Sequence, residues 1–174
     1  LQAEQTGWAL AHFHRRLIGL EIDRMQVPLP GFHHLSSYLS HYDRVVVKKT
    51  VGPSADIRFC REVIRKEREG ALSLERALAR GELQPRLTHG DPKIGNVLFD
   101  QTSGLAVALI DLDTVGPGLL LHDVGDCLRS VCNRGGEEGE PSRISFDLNL
   151  CRLTLQGYLQ EAGDLLTQPE RRML

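Results

Sequence analysis

The sequence predicts an α+β chain that is mainly α-helical, with short β-hairpins confined to one central stretch. Apolar residues recur at three- and four-residue steps over most of the 174 residues, the period of a helix with one buried face. Residues 86–113 break that rhythm. There RLTHGDPKIGNVLFD sets two short apolar segments around a polar loop, and LAVALIDLD follows Gly104. No repeat or linker interrupts the pattern, so residues 1–174 are expected to form a single domain.

In chain order, Leu10, Phe13, Leu17 and Leu20 predict a helix over Thr6–Leu20, with Gly19 marking its end. VPLPGFHH is a loop by its prolines and glycine, and Leu35, Tyr38, Leu39 and Tyr42 predict a short helix after it. VVVKKTVGPS is a strand or a helix end, stopped by Gly52-Pro53. Helices are expected over Ala55–Glu69 and Ser73–Arg80, with Gly70 between them. Residues 86–113 read as strand, loop, strand, turn, strand. A helix over His122–Val131, the polar loop NRGGEEGEPS, a helix over Phe146–Leu159 and a further helix opening at PERRML complete the chain.

Composition narrows the function. Hydrophobic residues make up 41% and charged residues 25%, an ordinary globular balance. The net charge is −2 and no basic stripe exists, which argues against a nucleic-acid partner. Arg15-Arg16 and Lys48-Lys49 read as solvated surface. No apolar run approaches the roughly 18–20 residues that span a bilayer, and no basic-then-apolar leader opens the chain, so neither membrane insertion nor a signal peptide is expected. Leu1 already stands in helical pattern, which leaves room for an upstream segment. Cys60, Cys127, Cys132 and Cys151 form no C-x-x-C pair and are expected to be reduced, mostly buried thiols of a cytoplasmic protein.

Two clusters carry chemistry. The first is His89-Gly90-Asp91 with Asn96 five positions after the aspartate; the second is Asp111-Leu112-Asp113, closing an apolar strand. An aspartate on a loop between short strands can sit at a cleft rim and take a proton from an attacking hydroxyl. An asparagine carbonyl suits a hard divalent cation, and a carboxylate from the next hairpin adds the charge that Mg²⁺ needs while it grips phosphate oxygens. One base and two metal ligands are most of what this half of a phosphoryl-transfer site requires.

A histidine followed by Asp-x-x-x-x-Asn, with a later aspartate at a strand end, resembles the catalytic-loop and metal-loop pattern of protein kinases. HGD in place of HRD, and IDLD in place of DFG, resemble the aminoglycoside phosphotransferase and choline kinase superfamily. Within it, THGDPKIGNVLFD, LIDLDTVGPGLLLHDVGDCLRS and the later GYL are similar to the N-acetylhexosamine 1-kinase group. The resemblance implies the large, C-terminal lobe of a protein-kinase-like fold, with the hairpins carrying the catalytic and metal loops. It implies transfer of the ATP γ-phosphate to a hydroxyl of a small molecule, a hexosamine or N-acetylhexosamine first, with Mg²⁺ as cofactor. By position, Asp91 is then the catalytic base, Asn96 and Asp111 hold Mg²⁺, and Asp113 supports the metal or contacts substrate. Asp123 braces the catalytic loop, His89 packs beneath it, and Lys93 stands where a cation touches the transferring phosphoryl group. Asp126, Arg129, Glu137 and Glu138 are candidates for substrate contact.

The small-lobe elements of such kinases, a glycine-rich cover, a strand lysine and its helix glutamate, have no counterpart in these residues. The sequence starts just after the expected hinge and stops short of the family's last helices, so the chain alone is expected to be inactive or nearly so. Blander readings stand beside these. Asp91 alone would serve as a turn or N-cap residue. Arg129 fits a solvated helix face; His12, His14, His33 and His34 fit surface and loop packing; Cys127 and Cys132 fit buried thiols; and Gly116-Pro117-Gly118 fits a turn behind the metal loop. Rival functions are a non-catalytic binding or regulatory fragment, an aminoglycoside- or choline-type kinase, and a glycosyltransferase using Asp111-Leu112-Asp113 as its D-x-D. The last requires a Rossmann-like βαβ order.

Overall fold

The structure is a computed structural model that describes residues 1–48, 52, 54–137, 139 and 143–174. Lys49, Pro53 and Glu138, each named above, lie outside the described residues. The chain divides into two compact units, Leu1–Pro28 with Pro85–Leu174, and Leu29–Gln84.

The first unit is built on two helices, α1 (Gln2–Arg16) and a later helix, Leu148–Ala162, packed at unusually close range. A Cβ placed on Gly7 would stand 1.9 Å from the Thr154 carbonyl oxygen, and one on Gly157 would stand 1.9 Å from that of Glu4. The two backbones therefore touch. The face that α1 buries is accordingly made of small side chains, Ala3, Gly7 and Ala11, together with Thr6, Leu10 and His14. This corrects the expected stripe: Leu10 belongs to the buried face, but Leu20 lies past the helix end and is 56% exposed. A pattern weighted by large apolar residues misses a face selected for close approach. Gly157→Ala is therefore expected to destabilise the fold by about 1–3 kcal/mol or more, although alanine is the better helix former. Gly125→Ala, where a Cβ meets nothing within 4 Å, is expected to stabilise by up to about 1 kcal/mol. Urea midpoints of the two variants moving in opposite directions would verify the packing.

Four short strands follow: β1 (Arg86–Thr88), β2 (Val97–Phe99), β3 (Ala106–Leu109) and β4 (Gly116–Gly118). The expected strand–loop–strand–turn–strand order is present, but β1 and β2 are not partners. β2 pairs antiparallel with β3, and β1 pairs antiparallel with β4, Thr88 opposite Gly116. Gly116-Pro117-Gly118 is therefore a strand and not the turn its composition suggests. A Cβ at position 118 would meet Thr88 Oγ1 at 2.5 Å, and one at 116 would meet Pro28 at 3.0 Å. Glycine is chosen there for close packing. Both sheets are antiparallel and two-stranded, so the described residues lack the βαβ order that a D-x-D glycosyltransferase needs.

Helix α5 (Leu120–Val131) comes next, and the second core helix above is α6 (Leu148–Ala162). Asp147 caps α6 by accepting from the backbone N–H groups of Asn149 (2.8 Å) and Leu150 (3.1 Å). The last helix, α7 (Gln168–Met173), opens with a Thr167–Glu170 capping box. Glu170 also pairs with Arg86, which ties β1 to α7. The core of this unit joins Leu10, Leu120, Val124, Val131, Tyr158 and Leu166.

The second unit holds the helices α2 (Leu35–Lys48), α3 (Ala55–Ala71) and α4 (Ser73–Ala79). The first is longer than expected, running through Val45–Lys48, and so decides for a helix end over those residues of VVVKKTVGPS. No residue of the first two is buried. Ser54 caps the second by accepting from Ile57 N–H at 3.1 Å, and Arg68 pairs with Asp43 at 2.6 Å. Among the described residues no helix is long and apolar enough to cross a membrane.

Candidate active site

The loop between β1 and β2 is held by α5. Asp123, 1% exposed, receives two backbone N–H groups of the loop: His89 N–H donates to Oδ2 at 2.7 Å and Gly90 N–H to Oδ1 at 2.9 Å. One helical turn further along and one beyond that, the Ser130 hydroxyl accepts from Ile94 N–H at 3.1 Å. Both ends of the loop are thus hydrogen-bonded to one face of α5.

His89 is fully buried. Its Nδ1 accepts from Asp91 N–H at 3.3 Å, so its Nε2 carries the hydrogen and donates to the Ile110 carbonyl at 3.0 Å. Gly90 turns the chain at φ +89°, and a Cβ there would fall 2.7 Å from the Thr114 carbonyl oxygen. That contact excludes a side chain where the protein-kinase pattern has arginine.

Asp91 projects from this loop. Its side chain is 30% exposed and forms an ion pair with Lys93 at 2.5 Å. Asn96 Nδ2 donates to the Asp91 carbonyl at 2.8 Å and to Asp91 Oδ2 at 3.3 Å, leaving its own Oδ1 as the acceptor. Ile110 links the two hairpins, since its carbonyl receives His89 and its N–H donates to the Asn96 carbonyl at 2.9 Å. Asp111 follows directly, in a left-handed conformation at φ 68°. Such backbone is uncommon for a residue with a side chain and concentrates at functional sites. The hydrogen bond to Asp91 holds the Lys93 ammonium protonated above its usual range, against desolvation, with added attraction from Asp91, Asp111 and Glu137. Asp91, Lys93 and Asn96 are therefore hydrogen-bonded into one group, and Asp111, one residue past Ile110, is near enough to act on the Lys93 charge. Asp113 is exposed on the turn after Asp111, and among the described residues no hydrogen bond or ion pair ties it to the loop.

The sequence misassigned one residue here. His14, read as surface, is 2% exposed. Its Nε2 donates to Asp123 Oδ2 at 2.8 Å, and its Nδ1 lies 3.0 Å from the Tyr158 hydroxyl. Asp123 thus gathers donors from α1 and from the loop, and α6 supplies the last member of the chain. Only a histidine at a buried helix position hints at this, and that signal has no partner until the fold provides one.

A model of the phosphotransferase enzyme family matches residues 1–161. The chain belongs to that family. It is also similar to a crystal structure of an aminoglycoside-3'-phosphotransferase of type VIII, with 20% identity and a TM-score of 0.49, over 99% of this chain and 58% of that one. The chain thus spans little more than half the length of that structure.

Within this phosphotransferase-family chain, the donors at Asn96 and Asp111 fit a magnesium ion better than a closed metal centre. No group of three or more His, Cys, Asp or Glu suited to a metal exists among the described residues. Mg²⁺ needs fewer, because it keeps several waters and binds through one or two carboxylates together with substrate phosphate. The unspent amide oxygen of Asn96 and the exposed carboxylate of Asp111 provide that set. Asp126 and Arg129 stand further along α5, paired at 2.8 Å, and Arg129 also reaches Glu137 at 2.5 Å. Cys127 and Cys132 are buried, as expected, and burial pushes both thiols up, Cys132 to about 11. Cys60 is exposed.

Proposed function

We propose that this chain is the acceptor- and metal-holding part of an ATP- and Mg²⁺-dependent small-molecule kinase, with a hexosamine or N-acetylhexosamine as the leading acceptor. The observation that supports it most directly is the hydrogen-bonded group of Asp91, Lys93 and Asn96, with Ile110, the residue before Asp111, bonded to both His89 and Asn96. Asp91 accepts the proton of the attacking hydroxyl. Lys93 orients that carboxylate and offers positive charge beside the transferring phosphoryl group. Asn96 Oδ1 and the Asp111 carboxylate would hold Mg²⁺, which when bound neutralises phosphate charge. His89 and Asp123 keep the loop in place from below. The aminoglycoside- and choline-type alternatives share this machinery and differ in the acceptor.

The strand lysine and glycine-rich cover that grip nucleotide in such enzymes are not among these residues. ADP release by the 174 residues with a panel of hexoses, N-acetylhexosamines, aminoglycosides and choline is therefore expected to stay near background. A longer chain that supplies those elements is expected to turn over. Robust turnover by the short chain would refute the division of labour, and silence of the longer chain with every acceptor would refute the kinase reading.

A further inference from the structure

The turn that carries Asp111 is hung at both ends from one residue. It runs from Ile110 to Thr114. At its start the His89 imidazole donates from Nε2 to the Ile110 carbonyl at 3.0 Å. At its end the Thr114 hydroxyl donates to the His89 backbone carbonyl at 2.8 Å. His89 is itself fixed: it is fully buried, and its N–H donates to Asp123 at 2.7 Å. The brace under the β1–β2 loop therefore reaches the turn through His89, and Thr114 is its last link.

The Thr114 side chain fits that place closely. A Cβ on Gly90 would stand 2.9 Å from both Thr114 Cβ and Oγ1, so the bare glycine leaves the room that threonine occupies. The next tie to β1 comes two residues later, where Thr88 Oγ1 donates to the Gly116 carbonyl at 3.1 Å. Between the two anchors Asp111, Leu112 and Asp113 are all exposed. Asp111 is nevertheless left-handed, at φ 68°. A residue with a side chain keeps that conformation only where its surroundings over-determine it. Burial does not supply the constraint at Asp111, and the two anchors do.

We infer that the Thr114 hydroxyl is a positioning group for the Asp111 carboxylate. By fixing the left-handed turn against His89 it sets where Asp111 stands relative to Asp91 and Asn96. The inference rests on the kinase reading only for the role of Asp111 as a magnesium ligand. Groups that orient a metal ligand are worth about 10–100-fold in metal affinity.

The test is NMR on the isotope-labelled 174-residue chain with Thr114→Val and Thr114→Ser. Valine keeps the shape against Gly90 and removes the donor; serine keeps the donor and removes a methyl group. Thr114→Ala is a second hydroxyl-free variant, with room for water at the His89 carbonyl, and it decides the matter if valine disturbs the core. Core shifts at Leu10 and Tyr158 report folding. The Asp111 Cα and Cβ shifts report its backbone conformation with no metal present. Serine is expected to retain the left-handed shifts, and the hydroxyl-free variants to lose them. Mn²⁺, a paramagnetic substitute for Mg²⁺, is then titrated. It is expected to broaden the Asn96 and Asp111 signals together in the parent and in Thr114→Ser, and to need about tenfold more metal without the hydroxyl. Left-handed shifts that survive in folded hydroxyl-free variants, or that vanish with serine, would overturn the inference. So would joint broadening that ignores the loss of the hydroxyl. If the parent shows no joint broadening, the magnesium reading falls instead, and the Asp111 shifts still decide what Thr114 does.

Discussion

Asp123→Ala is expected to cost the fold about 3–5 kcal/mol, the scale for removing one partner from a buried charged network. Asp123 is 1% exposed and accepts three hydrogen bonds, from His14, His89 N–H and Gly90 N–H. Without it, three buried donors lose their acceptor, and no water reaches them cheaply. The alanine also leaves a void under the loop. Asp123→Asn keeps the volume but turns an amide N–H₂ toward donors, so an intermediate cost is expected. The effect is local as well as global, because the two backbone donors belong to the residues just before Asp91. Hydrogen exchange at His89 and Gly90 is expected to accelerate more than the global loss of stability accounts for. A double-mutant cycle with His14→Ala is expected to be strongly non-additive, since the two side chains meet in one buried hydrogen bond. Additive costs, or a urea midpoint for Asp123→Ala that matches a surface substitution, would show that the loop is held by something else.

Asp91→Asn is expected to behave in the opposite way, with a large loss of rate and little loss of stability. General-base contributions run to about 10²–10⁴ in rate, and asparagine cannot take a proton. The Asp91–Lys93 pair is only partly buried, at 30% and 32% side-chain exposure. Such pairs contribute about 0–1 kcal/mol. The measurement is kcat and KM for the preferred acceptor in the longer chain, alongside a denaturation curve. The expected outcome is a kcat lowered at least 100-fold, a KM within a few-fold of the parent, and an unchanged midpoint. Because Asn96 Nδ2 also donates to Asp91 Oδ2, the asparagine must turn its own oxygen toward Asn96 to keep that bond. Full activity in the variant would remove Asp91 from the chemistry.

Much of this site was legible before the fold was known, for a physical reason. The candidate loop is short and local: Asp91 and Asn96 are five residues apart and meet directly through Nδ2. Asp111 is one hairpin away, carried back by the β2–β3 pairing. Local spacing of this kind survives into three dimensions because few conformations satisfy it. The helices were legible for the same reason, with ends shifted by a few residues where caps such as Asp147 and Thr167 decide them. His14 was not legible. It meets Asp123 across 109 residues of chain, and no local pattern distinguishes it from the exposed histidines around it. Gly116-Pro117-Gly118 misled because its residues are turn formers taken alone, and only the packing of Thr88 and Pro28 gives the glycines their reason.

By itself, then, the amino-acid order determined the helical character of the chain, the position of the hairpins, and which residues are candidates for a proton acceptor and two magnesium ligands. These depend on periodicity and short spacing, which the backbone enforces locally. Tertiary structure alone decided that α1 and α6 touch at Gly7 and Gly157, that His14 completes the brace under the loop, and that Arg129 is fixed between Asp126 and Glu137. Each of these depends on groups meeting across a packed interface or a returning loop. Burial then sets their hydrogen-bonding demands, and burial exists only once the chain has folded.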